Sequence, residues 1–268
     1  MRPLLACLAL AAACGPEAAT EVDAPPADAA ADARLIDAVP IDSPDAPPPP
    51  DVEVVVTADN AYSFGYGDDT GIGTYIQGTR AVTAGQIFNC PIGEGPERYV
   101  VPGASAPDTA YLYIVSWDDL RVTQGVLGQF RRGAGAPVYT GGEDWQVCAT
   151  GIDLSASANG PTQAEVNAQI AICNAGTGAP GTTSRGWVNT VGAVTAGALG
   201  TLAIGEPNDG AAGDFPLVCP ASMGGIDANA RWMWYQPGGV ANPFRSTGTN
   251  TFRAYLIFRL PTVEIPIG

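Results

Sequence analysis

The chain has 268 residues with 27 acidic against 12 basic side chains, a formal net charge of −15, and neither histidine nor lysine, so every side-chain cation is arginine. Without histidine there is no Ser-His-Asp triad, Cys-His pair or imidazole metal site, and without lysine no Schiff base and no P-loop lysine. The acidity also argues against nucleic acid as a partner, because phosphates are held by cationic groups.

The first stretch, MRPLLACLALAAAC (residues 1–14), sets Arg2 before an apolar run that ends in small residues. It reads as a secretory signal, too short to span a membrane. Leu10 to Gly15 resembles a bacterial lipobox, which implies lipidation of Cys14 and an exported protein held at the outer membrane or cell surface by lipid alone. A plain signal peptide cleaved near the alanines, giving a secreted protein, is the other reading. Residues 15–51 are Ala, Asp and Pro with almost no aromatics. Such a segment lacks the apolar surface to order itself, and its prolines and carboxylates favour an extended, disordered tether. It is similar to the Asp/Ala/Pro tethers of Gram-negative surface lipoproteins.

From residue 52 to 268 the signals are β. VEVVVTA, ERYVVP, AYLYIVSW, APVYT, DWQVCATGI, ARWMWYQ and FRAYLIFRLP are short β-branched or aromatic runs bounded by Gly, Pro, Asp and Asn. In the last, Phe252, Ala254, Leu256 and Phe258 share one face, and Arg253, Tyr255 and Arg259 the other. Both faces of ARWMWYQ are apolar, which argues for a core strand carrying Trp232 and Trp234, with an exposed aromatic platform for glycans as the alternative. The pattern predicts a sandwich or barrel. One segment, GPTQAEVNAQIAICNAG, predicts a helix of about three turns: Pro161 suits its first turn, Val166, Ile170 and Cys173 fall on one face, and Asn174 and Gly176 end it. That helix is expected to cover an edge or end of the sandwich, within an insertion at roughly 133–229.

Beyond the leader there are four cysteines, and an exported chain meets oxidising conditions, so two disulfides are expected. Three connectivities are open. Cys148–Cys173 would tie the helix to the strand before it, and Cys90–Cys219 would clip the insertion to the early strands.

VTADNAYSFGYGD resembles the opening strand–turn of galactose-binding-like jelly-roll domains in extracellular bacterial proteins. PERYVVPGASAPDTAYLYIVSWDDLRVTQGVLGQF resembles a later part of such a domain, and ARWMWY and FRAYLIFRLP resemble two more of its strands. The resemblance covers Val54–Phe130 and Ala230–Pro261. It implies a non-catalytic, jelly-roll-like β-sandwich of a kind often used for carbohydrate binding or adhesion and often holding a structural calcium.

The oxygen donors suited to calcium are Asp59, Asn60, Asp68, Asp69, Asp118 and Asp119. They show no EF-hand spacing, and the plainer reading is that Asp and Asn shape turns. Trp117 beside Asp118 and Asp119, and Trp145 beside Glu143 and Asp144, suggest sugar sites built from a ring face and carboxylates; each tryptophan in the core and each acid in a turn is the alternative. GEPNDG, residues 205–210, reads as a solvated turn. The leading function is a cell-surface binding module for a glycan or surface polymer. A structural envelope or appendage component bound to another surface protein is second, and a carboxylate-based glycoside hydrolase third, with no nucleophile motif such as G-x-S-x-G to support it.

Overall fold

The structure is a computed structural model that describes residues 48–90, 95–117, 122–154, 159–176, 186–245 and 254–268. In chain order its elements are β1 (Val52–Asp59), β2 (Ala61–Asp68), β3 (Gly71–Arg80), α1 (Gly85–Phe88), β4 (Glu97–Val101), β5 (Tyr111–Trp117), β6 (Gly125–Arg132), β7 (Val138–Tyr139), β8 (Gln146–Asp153), α2 (Gln163–Ala175), β9 (Val188–Asn189), β10 (Gly192–Ala193), β11 (Thr201–Pro207), β12 (Arg231–Gln236) and β13 (Ala254–Pro261). They form two antiparallel sheets. One has the order β11-β12-β6-β1-β4 with β7 attached to β6, and the other β10-β9-β8-β13-β5-β2-β3. This is the expected all-β sandwich with a short helix. The signal segment and Cys14 lie outside the described residues, as do residues 15–47 of the tether.

The main core lies between the sheets, where Val54, Val56, Phe64, Leu112, Ile114, Phe130, Trp234, Leu256 and Phe258 meet. A second cluster forms on the outer face of the second sheet. There Val166, Ile170 and Cys173 of α2 pack with Tyr113, Val115, Trp117, Tyr255 and Ile257. β5 and β13 are therefore covered on both faces, which is why YLYIVSW and AYLIFRLP are almost continuously apolar rather than alternating. The helix packs on the outer face of the second sheet and reaches its β3 edge, where Asn167 bonds the Ile72 backbone, so it covers an edge as expected and a face as well. Its start is fixed by Thr162, whose hydroxyl accepts from the Glu165 amide while the Glu165 carboxylate accepts from the Thr162 amide, and its end by Gly176 in the left-handed region at φ 67°.

The segment 133–229 is not an excursion from the sandwich. Its β8 pairs with β13 in the middle of the second sheet, and its β11 pairs with β12. The GEPNDG stretch is likewise structural: buried Asn208 donates to the carbonyls of Val218 and Ile226 and accepts from the Val218 amide, while Glu206 accepts from the amides of Asp214 and Phe215.

Both disulfides form as paired above. Cys148–Cys173 joins β8 to the last turn of α2, and Cys90–Cys219 joins the stretch after α1 to the loop before β12 across 129 residues.

Candidate functional site

The residues singled out as ligands in the sequence divide by location. Asp59 and Asn60 sit at the corner where the chain leaves the first sheet for the second. Asp59 is buried and accepts a hydrogen bond from the Thr123 hydroxyl at 2.6 Å. Asp68 and Asp69 lie at the opposite end of β2, an eight-residue strand about 20–25 Å long, so the two pairs cannot share one ion. Asp118 and Asp119 lie outside the described residues. Among the described residues no three His, Cys, Asp or Glu side chains converge as a metal site. Asp68 shapes a turn: its Oδ1 accepts from the Thr70 hydroxyl, the Thr70 amide and the Gly71 amide. The bonds from Thr70 hold its carboxyl below the ordinary range.

The tryptophans proposed as sugar platforms are in the interior. Trp117 is 2% exposed and Trp145 0%. The backbone at Gly160, on the way into α2, runs so close over Trp117 that a Cβ there would stand 2.1 Å from its ring. Trp145 packs against Phe130 with centroids 5.1 Å apart and donates its indole N–H to the Tyr139 carbonyl. Neither ring can face a sugar. Glu143 and Asp144 are exposed in the turn before β8, and the Trp145 beside them in sequence is buried. Trp232 and Trp234 are buried as expected, with Phe215 stacked on Trp232 at 4.0 Å.

What the fold builds instead is a groove of about 620 Å³ at the end of the sandwich where the chain enters from Pro48. Its floor and one wall are the tip of the β2–β3 hairpin, including Tyr66, Asp68, Thr70, Ile72 and Thr74, with Asn167 of α2 behind. The opposite wall is the loop from Ala104 to Ala110, with Ser105 and Thr109.

Each wall is held from behind. Asn167 accepts from the Ile72 amide at 2.7 Å and donates to the Ile72 carbonyl at 3.1 Å, and Gln163 donates to the carbonyls of Ile72 and Gly73. Two amide side chains of α2 thus occupy the outer edge of β3 and fix its position. On the other side, the Gly103 amide donates to Asp51, buried Arg132 donates to the Ala106 carbonyl at 2.7 Å, and Thr262 donates to the carbonyls of Pro107 and Ala110. A groove between two walls braced in this way needs little rearrangement to receive a ligand.

The lining is polar and uncommitted. The hydroxyls of Tyr66, Thr74, Ser105 and Thr109 form no hydrogen bond with another described residue, and Tyr66 is half-buried, packed on the margin of the main core near Phe64. Asp68 Oδ2, unlike Oδ1, accepts no bond from the described residues. Asp68 was visible in the sequence as a candidate, but for calcium. Tyr66, Thr74, Ser105, Thr109 and Asn167 were not, because isolated hydroxyls and amides carry no spacing signal and only the fold gathers them. No protein-family model, no curated protein and no solved structure matches this chain.

Proposed function

We propose that this protein is a non-catalytic binding module, exported and held at the cell surface through Cys14, whose groove takes a polyhydroxylated chain: a glycan or a glycan-like surface polymer. One observation carries the reading. Four hydroxyl-bearing side chains without hydrogen-bond partners among the described residues line an open groove whose walls are braced from behind. Unpaired hydroxyls exchange hydrogen bonds with sugar hydroxyls at little penalty, and the Tyr66 ring offers an apolar face for a pyranose. The two disulfides agree with export. The galactose-binding-like resemblance points to the same class of ligand.

Hydrolysis is less well supported. A glycosidase needs two carboxylates flanking the bond, and Asp68 alone lines the groove, its carboxyl lowered in pKa and so a poor proton donor. Assembly by strand addition at β3, one of the four sheet edges, is also less well supported. Gln163 and Asn167 occupy the β3 edge at Ile72 and Gly73, and Glu97 takes the Thr79 amide at 2.8 Å, which leaves only a short stretch of that edge open.

The test is a glycan array probed with the full-length protein in calcium and again in EDTA. Selective binding that survives EDTA and is lost in Tyr66→Ala, measured at a temperature where the variant is still folded because Tyr66 also packs on the core, is expected. Absence of binding to every glycan in both buffers overturns the reading. Binding lost in EDTA would return the site to a calcium-dependent one.

A further inference from the structure

The groove has one charged side chain in its lining, and it is a carboxylate. None of the arginines among the described residues lines it. A cation behind its walls, Arg132, has a side chain 2% exposed; its Nη2 donates to the Ala106 carbonyl and its Nη1 stands 3.7 Å from Asp108. Asp108 itself is 73% exposed, between the lining residues Pro107 and Thr109. A ligand entering this groove meets the Asp68 carboxylate in its lining, while Asp108, outside the lining, stands beside Arg132, in a chain of net charge −15.

Binding proteins that hold sulfate, phosphate or uronate groups do so with Arg or Lys, whose donors match the anion and offset its desolvation. Here the fixed charge is of the opposite kind. Asp68 Oδ1 is saturated by Thr70 and Gly71, so its Oδ2 is a pre-positioned acceptor that needs a donor from the ligand. Sugar hydroxyls and N-acetyl amides are donors; ionised acidic groups are not. Resting on the glycan reading above, we infer that the groove selects uncharged glycans and rejects acidic ones, with the Asp68 carboxylate accepting from a ligand hydroxyl.

Gly73 supplies a way to test the charge rule without disturbing the walls. It lies in the lining, and a Cβ built there would find one neighbouring atom within 4 Å, the Tyr66 carbonyl at 3.8 Å. An arginine at this position would add a cation to a residue of the lining.

The experiment measures binding of the full-length protein to a panel of neutral polysaccharides (a glucan, a galactan, a mannan) and acidic ones (polygalacturonate, alginate, chondroitin sulfate), at about 20 and about 500 mM NaCl, conditions in which screening differs strongly. The expected result is binding to a neutral polymer that changes less than about twofold with salt and falls about tenfold or more in Asp68→Asn, together with Gly73→Arg gaining a salt-sensitive affinity for an acidic polymer. Wild-type binding confined to acidic polymers overturns the charge rule and keeps the glycan reading. Neutral binding unaffected by Asp68→Asn overturns the assigned role of Asp68. Binding to neither class overturns the rule and the glycan reading together.

Discussion

The guanidinium carbon of Arg259 lies 3.8 Å from the ring centroid of Trp187 and 4.8 Å from that of Tyr111. Its Nε donates to Gln146 at 2.9 Å and its Nη1 to Asn174 at 3.1 Å, while the Trp187 indole donates to the same Asn174 oxygen at 2.6 Å. One buried cation thus joins β13, β8, the end of α2 and the strand that follows Gly186. Lysine keeps the charge but not the planar fork or the stacking. Arg259→Lys should destabilise the domain by about 2 kcal/mol, a fall of roughly 4–8 °C in Tm for a domain of this size. A thermal melt within a degree of wild type would show that the stack contributes little.

Burial raises the phenol pKa of Tyr62, Tyr99, Tyr113 and Tyr255, and that of Tyr235 to about 12. At Tyr62 the charge of Glu97 and the presence of Tyr99 add to the effect. The unfolded chain releases phenolic protons near pH 10 and the folded chain holds them, so the stabilisation is complete below pH 10 and declines as pH rises toward the folded values. Stability should therefore fall steeply above pH 10, with late phenolate absorbance appearing together with loss of the β circular dichroism signal. Ionisation of all nine tyrosines near pH 10 in a chain that stays folded would contradict this.

The two disulfides should separate stability from binding. Cys148–Cys173 closes a loop of 25 residues and fixes the helix whose Asn167 braces the groove. Its loss through Cys148→Ala with Cys173→Ala should cost about 3 kcal/mol and weaken glycan binding. Cys90–Cys219 closes 129 residues away from the groove. Its loss should cost about 4–5 kcal/mol with binding intact at temperatures where the protein remains folded. Equal effects on affinity from the two pairs would count against α2 as the brace.

The strands and the helix were legible because their signals are local: alternation, β-branched runs, Pro161 at a helix start, and Val166, Ile170 and Cys173 on one face. That the helix also docks on a sheet face was not legible. Tyr113, Val115, Tyr255 and Ile257, the face that receives it, read as generic strand residues until the second sheet is seen to be covered on both sides. The tryptophans misled for a related reason. A Trp beside acids looks the same in sequence whether its ring faces solvent or, as at Trp117, lies under a returning segment such as Gly160. The groove was the least legible of all, since Thr74, Ser105 and Asn167 come from three separated segments and become a site only through the pairing of β2 with β3 and the packing of α2.

The hairpin that floors the groove makes a last demand on sequence. Between Tyr66 and Gly67 the β2–β3 register slips, with Tyr66 opposite Thr74 but Gly67 opposite Ile72, so Gly73 is the extra residue of a bulge. The bulged strand crosses directly over Gly67, where a Cβ would stand 2.1 Å from the Gly71 carbonyl and 2.8 Å from the Gly73 amide nitrogen, both backbone atoms that cannot swing aside. Gly67→Ala should force the hairpin tip apart, costing roughly 2–4 kcal/mol and reducing glycan binding with it. Gly73→Ala meets only the Tyr66 carbonyl at 3.8 Å, an ordinary van der Waals contact, and should stay within about 0.5 kcal/mol of wild type. Urea unfolding of the two variants measures the contrast. Matching midpoints for Gly67→Ala and wild type would mean that the hairpin tip relaxes freely, and a tip that relaxes freely could not serve as a braced wall.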